Sequence, residues 1–147
     1  MISPAMFAEQ FLPPMAEVAA RCGLVYYGCC EPVHDRWQQI RAAIPHVRAL
    51  SVSPWCDRAA IAEQVGRDVV LSRKPEPPPI SGATPDWDAL ERDLDTTLAT
   101  MGAGNLEILY RDVYRIDGDR ARLRRWVDLV RSRIGGAALP ARAAAGK

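Results

Sequence analysis

Two adjacent cysteines and a carboxylate, Cys29, Cys30 and Glu31, stand near the start of this chain, with His34 just beyond. Such a group suits two chemistries. A catalytic zinc ion takes three protein ligands from thiolate, imidazole or carboxylate and keeps one position open. Cys29, Cys30 and Glu31 are the leading metal candidates, with Cys56, His34 and Asp112 as further donors. No paired CxxC motif accompanies them, so spacing alone does not specify a metal. The second chemistry is nucleophilic. Cys30 would act as a thiolate with His34 reaching back from the first turn of a following helix, where the helix N-terminus favours the anion. The plain alternative is that both cysteines are small apolar side chains closing a strand.

Three other groups carry comparable potential. Ser53, Pro54, Trp55, Cys56 and Asp57 form one, Ser72, Arg73 and Lys74 another, and Arg111, Asp112 and Tyr114 the last. Arg73 and Lys74 could hold an anionic substrate group as fork and point charge, or lie solvated in a loop. Trp55, in a strand-to-helix loop, could wall a pocket. No glycine-rich phosphate loop occurs; "MGAGN" (101–105) follows a helix and reads as its cap.

The elements that would position these groups are legible. Four apolar runs, "LVYYGCC" (24–30), "VRALSVS" (47–53), "DVVLSR" (68–73) and "LEILYRDV" (106–113), read as strands, and each precedes a segment of helical period. Trp37, Ile40 and Ile44 mark the first helix. Asp57 caps the second and Gly66 ends it. Asp86 caps the third, with Leu90, Leu94 and Leu98 on one face. Asp119 caps the fourth, whose expected stripe is Leu123, Val127, Val130 and Ile134. An opening helix starts at Ser3, and Pro13 and Pro14 should kink or break it.

This alternation predicts an α/β fold of four consecutive βα units with parallel strands, preceded by a helix. Four units cannot close an eight-stranded barrel. The chain is therefore an open sheet or half of a (β/α)8 barrel, and strand order alone separates the two. In both, ligands bind at the carboxyl ends of the strands, which is where all four chemical groups fall.

Composition narrows the function classes. The 147 residues are 48% hydrophobic and 25% charged with a net charge of +1, which gives no global case for nucleic acid or an anionic membrane. Ten Arg and Lys against four Asp from Arg111 onward read as a solvated helix face. No apolar run spans a membrane and the first residues do not form a secretory signal, so reduced thiols in a cytoplasm are expected. The half-barrel is expected over 1–136 and a disordered tail over 137–147.

In order along the chain, "YGCCEP", "SVSPW" and "LSRKPEP" resemble the C-terminal half of uroporphyrinogen decarboxylase-like proteins, over about residues 2 to 135. That superfamily of (β/α)8 barrels includes a decarboxylase of haem biosynthesis and zinc-dependent methyltransferases working with corrinoids and thiols. The resemblance implies that the strands are barrel strands five to eight. The partner would be a missing N-terminal half-barrel or a second copy, and the substrate a small molecule. It further implies methyl transfer, with zinc and a partner-borne corrinoid as cofactors. Cys29 or, with a one-residue shift, Cys30 matches the family's strand-end cysteine, and Tyr27 or Gly28 then takes the place of its histidine. Asp112 falls near the final cysteine position. Cys30, Glu31 and Asp112 are then the expected catalytic residues, and Tyr27, Trp55, Arg73 and Lys74 the substrate-binding ones. Porphyrinogen decarboxylation is not expected, because "LYRDVYRIDGD" does not match that enzyme's last-strand motif. The competing readings are a non-catalytic assembly module and a truncated, inactive fragment.

Overall fold

The computed structural model describes residues 2–28 and 30–135. Cys29 and the tail expected over 137–147 lie outside the described residues. The order is α1 (Pro4–Met6), a π-helical segment (Phe7–Phe11), α2 (Leu12–Ala19), β1 (Val25–Tyr27), α3 (Trp37–Ala43), β2 (Val47–Val52) and α4 (Arg58–Val65). There follow β3 (Val70–Arg73), a short α5 (Pro78–Ser81), α6 (Trp87–Met101), β4 (Asn105–Ile108) and α7 (Ala121–Gly135).

The local chemistry behind these elements is simple. Side-chain oxygens of Ser3, Asp57 and Asp86 accept from the backbone N–H three residues on, at the starts of α1, α4 and α6. Gly66 ends α4 at φ 65, where a Cβ would be strained. Pro13 and Pro14 remove two helical donors. The chain absorbs this by a wider turn ahead of them, in which the Leu12 N–H bonds the Phe7 carbonyl. The fourth strand is shorter than its apolar run suggests. It ends at Ile108, the Leu109 N–H still bonds the Arg73 carbonyl, and the chain then turns away, with Asp112 at φ 59.

All four strands are parallel and stand in the sheet in sequence order, β1-β2-β3-β4. This order settles the architecture. Right-handed crossovers between sequential neighbours put every connecting helix on one face, whereas a doubly wound sheet reverses its order to use both. The fold is half of a (β/α)8 barrel preceded by a helix.

The register assigns residues to faces, because successive side chains point to opposite sides of a strand. Tyr27, Leu50, Leu71 and Leu106 align on one face, and Val52, Arg73 and Ile108 continue it. Tyr27, Leu50, Val52 and Leu71 share a core with Ile40, Ile61 and Met101 of α3, α4 and α6, so this is the outer, helix-covered face. Tyr26, Ala49, Val70 and Asn105 align on the inner face, followed by Ser51, Ser72 and Glu107. A second cluster joins α6 and α7 through Leu90, Leu94 and Trp126, with Tyr110 set edge-on to Trp126 at 5.2 Å. Of the stripe expected on α7, Leu123 and Val130 pack against this cluster, whereas Val127 is exposed and Arg122 and Trp126 are buried instead. Arg122 fits there because Nη1 donates to the Ile80 and Gly82 carbonyls.

Candidate functional site

The loops leaving the four strands meet in one cleft of about 280 Å3. β1 supplies Cys30, and β2 supplies Ser53, Pro54 and Trp55. β3 supplies Lys74, Pro75 and Pro77, and β4 supplies Arg111, Asp112 and Tyr114. The walls are largely apolar: Trp55 and Tyr114, 69% and 77% exposed, stand with Pro54, Pro75 and Pro77. The floor is polar. Lys74 is 8% exposed and its ammonium donates to Ser51 Oγ. Ser53 is 1% exposed, and its Oγ has no hydrogen-bond partner among the described residues.

Cys30 sits at the exposed edge. Beside it the Arg111 guanidinium lies above its ordinary pKa, raised first by Asp112, whose Oδ2 it meets at 2.9 Å, and then by the Cys30 sulfur. A cation of this kind steadies a thiolate. Cys30, Trp55, Lys74 and Asp112 are thus the expected site residues that the fold brings together.

Three others point elsewhere. Arg73 belongs to the outer face: fully buried, it bonds Asp93 of α6 at 2.9 Å and donates to the Lys74 carbonyl. Burial pulls its guanidinium below the ordinary value, while Asp93 pulls it back up. It cannot orient a substrate in the cleft. Tyr27 is likewise a buried outer-face residue of the core. Glu31 does not line the cleft; Arg36 Nη1 donates to its Oε2 at 2.8 Å, and Arg36 also holds Asp35. Buried Arg36 stacks on Phe7, so this network ties the β1 loop to the opening helix.

His34 does not pair with Cys30. Its Nδ1 accepts from the Asp57 N–H at 3.1 Å and lies 3.6 Å from Cys56 Sγ, which leaves the ring proton on Nε2. Burial pushes the Cys56 thiol up, and it is inert as a nucleophile in this setting.

A zinc site was tested on the donors present. Glu31 and Asp112 are each engaged by an arginine, His34 faces Cys56, and no group of three His, Cys, Asp or Glu among the described residues could hold a metal ion. The described donors do not fit zinc by themselves, and Cys29 lies outside them.

Residue reasoning placed Ser53, Arg111 and Tyr114 at strand ends but gave them no role. Ser53 was readable: it follows Ser51 by two residues and so shares its face. No helix among the described residues is long and apolar enough to cross a membrane. Comparison with protein-family models, curated proteins and solved structures finds no match to this chain.

Proposed function

We propose that this chain is half of a barrel enzyme of the uroporphyrinogen decarboxylase-like kind, in which the Cys30 thiol takes a methyl group from a corrinoid beside a small molecule held in the rim cleft. The observation that carries this reading is the meeting of all four strand-end loops in one cleft with the Cys30 thiol at its edge. In this reading the Cys30 sulfur attacks a methyl carbon. The S–C bond forms as the bond to the donor atom breaks, and that electron pair leaves with the donor. Arg111 stabilises the attacking thiolate, and Asp112 holds Arg111 in place. A corrinoid carried by a partner protein would supply the methyl group. Zinc belongs to this proposal only with donors beyond the described residues. The free thiols Cys22, Cys30 and Cys56 suit a cytoplasmic setting.

The helices favour a complementary half over a second copy. One helix precedes β1 and another follows β4, so the chain brings a covering helix to both open edges. Two copies closing together would place two helices over each junction, where regular βα alternation places one. A unit of four strands with three helices between them fits without surplus. An apolar groove of about 590 Å3 beside the free edge of β1, lined by Met15, Val18, Leu24 and Tyr26, would receive its last strand. The partners are thus a half-barrel and a small molecule, rather than nucleic acid or membrane.

The test is co-expression with the four-strand half of a barrel protein of this kind, followed by light scattering, elemental analysis and intact-mass measurement after incubation with a methylcorrinoid. A one-to-one complex with a methyl group on Cys30 is expected. A complex whose Cys30 stays unmethylated would sink methyl transfer, and a homodimer that ignores the added half would sink the complementary barrel.

A further inference from the structure

We propose that the rim cleft recognises its small molecule through an oxyanion, a carboxylate or a phosphate, held between the Lys74 ammonium and the Ser53 hydroxyl. The inference rests on the reading of this cleft as the small-molecule site, and it names the ligand class. Two independent observations carry it.

The first is a buried cation without a counter-charge. Lys74 is nine-tenths buried, yet it forms no ion pair with a carboxylate among the described residues. Its ammonium carries three N–H donors, and Ser51 Oγ takes one. Removing a charge from water costs several kcal/mol unless a partner compensates. The preceding residue shows how this fold meets that cost elsewhere: Arg73, equally buried, is given Asp93. The cleft holds one carboxylate, Asp112, and that is engaged by Arg111. Glu107, the inner-face neighbour of Ser72, is exposed and makes no ion pair with Lys74. The counter-charge that Lys74 lacks is supplied from outside the chain.

The second observation is Ser53. A buried hydroxyl without a partner carries a desolvation penalty of about 1–3 kcal/mol. Ser53 lines the same cleft as Lys74, and its unpartnered hydroxyl would be the second donor that an oxyanion needs. Pro54, Trp55 and Pro75 wall the space, so the anion enters as the head of a small, partly apolar molecule.

The probes are inorganic phosphate and succinate, titrated calorimetrically into the full chain at constant ionic strength with chloride as background. Saturable binding of one of them is expected, and whichever binds identifies the head group. Lys74→Met should weaken it about tenfold or more, and Ser53→Ala about threefold, whereas Arg131→Gln, which removes an exposed cation of α7 outside the cleft, should leave it unchanged. Ser53→Ala removes an unpartnered group and keeps the fold, so it decides the matter even where Lys74→Met does not fold. The proposal is overturned if neither anion saturates, or if both variants bind as the parent does. Saturable binding beside an unmethylated Cys30 in the completed barrel would break the methyl-transfer reading and leave this one standing.

Discussion

Arg73 and Lys74 are neighbours in sequence, both cationic and both buried, and they live in opposite worlds. Arg73 points to the helix-covered face, where Asp93 balances its charge and the Lys74 carbonyl accepts from its Nη1. Lys74 points to the inner face, where a neutral serine is its protein partner. On the outer face the buried charge arrives paired: Arg58 also bonds Asp93, and the Tyr110 hydroxyl donates to the Glu76 carbonyl, although Arg73 Nε has no partner among the described residues. On the inner face and rim, Ser53 and Ser72 keep buried hydroxyls without partners among the described residues. The chain itself balances the buried charge on one face; on the other, under the proposal above, a ligand balances it.

Asp93→Ala should break that comparison most severely. It strands two guanidiniums, one of them fully buried, and about 3–5 kcal/mol of stability should disappear in urea unfolding. An effect below about 1 kcal/mol would mean that Arg73 finds water or another acceptor. Next in size is the contrast between two thiols. Iodoacetamide should modify exposed Cys30 about a hundredfold faster than buried Cys56 in the native chain, as read by peptide mass. Equal rates would place the rim and the core in one environment. Lys74→Met, which puts an apolar chain of similar length on the inner face, should leave the unfolding free energy unchanged or raise it by up to about 1 kcal/mol. Arg73→Met, by contrast, should lower it. A loss with Lys74→Met as large as that with Arg73→Met would erase the asymmetry. The smallest effect concerns pH. Burial raises the Cys56 pKa in the folded state, so above the ordinary value of 9.0 the unfolded chain releases a proton that the folded chain retains. The stability contributed by Cys56 is complete below that pH and is lost as pH rises through the folded value. Cys56→Ala should flatten the alkaline limb of the unfolding curve, and an unchanged slope would assign the limb to other groups.

Much of this was legible in the residues. Four apolar runs gave four parallel strands, and Ser3, Asp57 and Asp86 cap where short polar side chains before helical segments should. The rule that chemistry gathers at strand carboxyl ends placed Cys30, Trp55, Lys74 and Asp112 on a common rim. It failed where it ignored alternation. Leu71 and Arg73 must share a face, so once Leu71 is core, Arg73 is core as well. The same parity sends Tyr27 to the helix-covered outer face and leaves Tyr26 exposed on the inner face. Other features had no local signal. Asp93 is an ordinary acidic residue on a helix until the fold sets it against Arg73 and Arg58. His34 meets Cys56 through a contact between loops of two different units, which spacing along the chain cannot show. The burial of Arg122 on α7 depends on two carbonyls at the end of α5, far away in sequence.

The strand order has a consequence for how such a chain comes together. Every strand pairs only with the strands that come just before and just after it in sequence, so no contact within the sheet joins its first strand to its last. Each unit can dock on its predecessor as a zipper closes, with modest loop-closure entropy at every step. Growth of this kind has no built-in stop. Both edges stay competent to accept another strand, which makes the half-barrel a template for further units as much as a fragment of a finished ring.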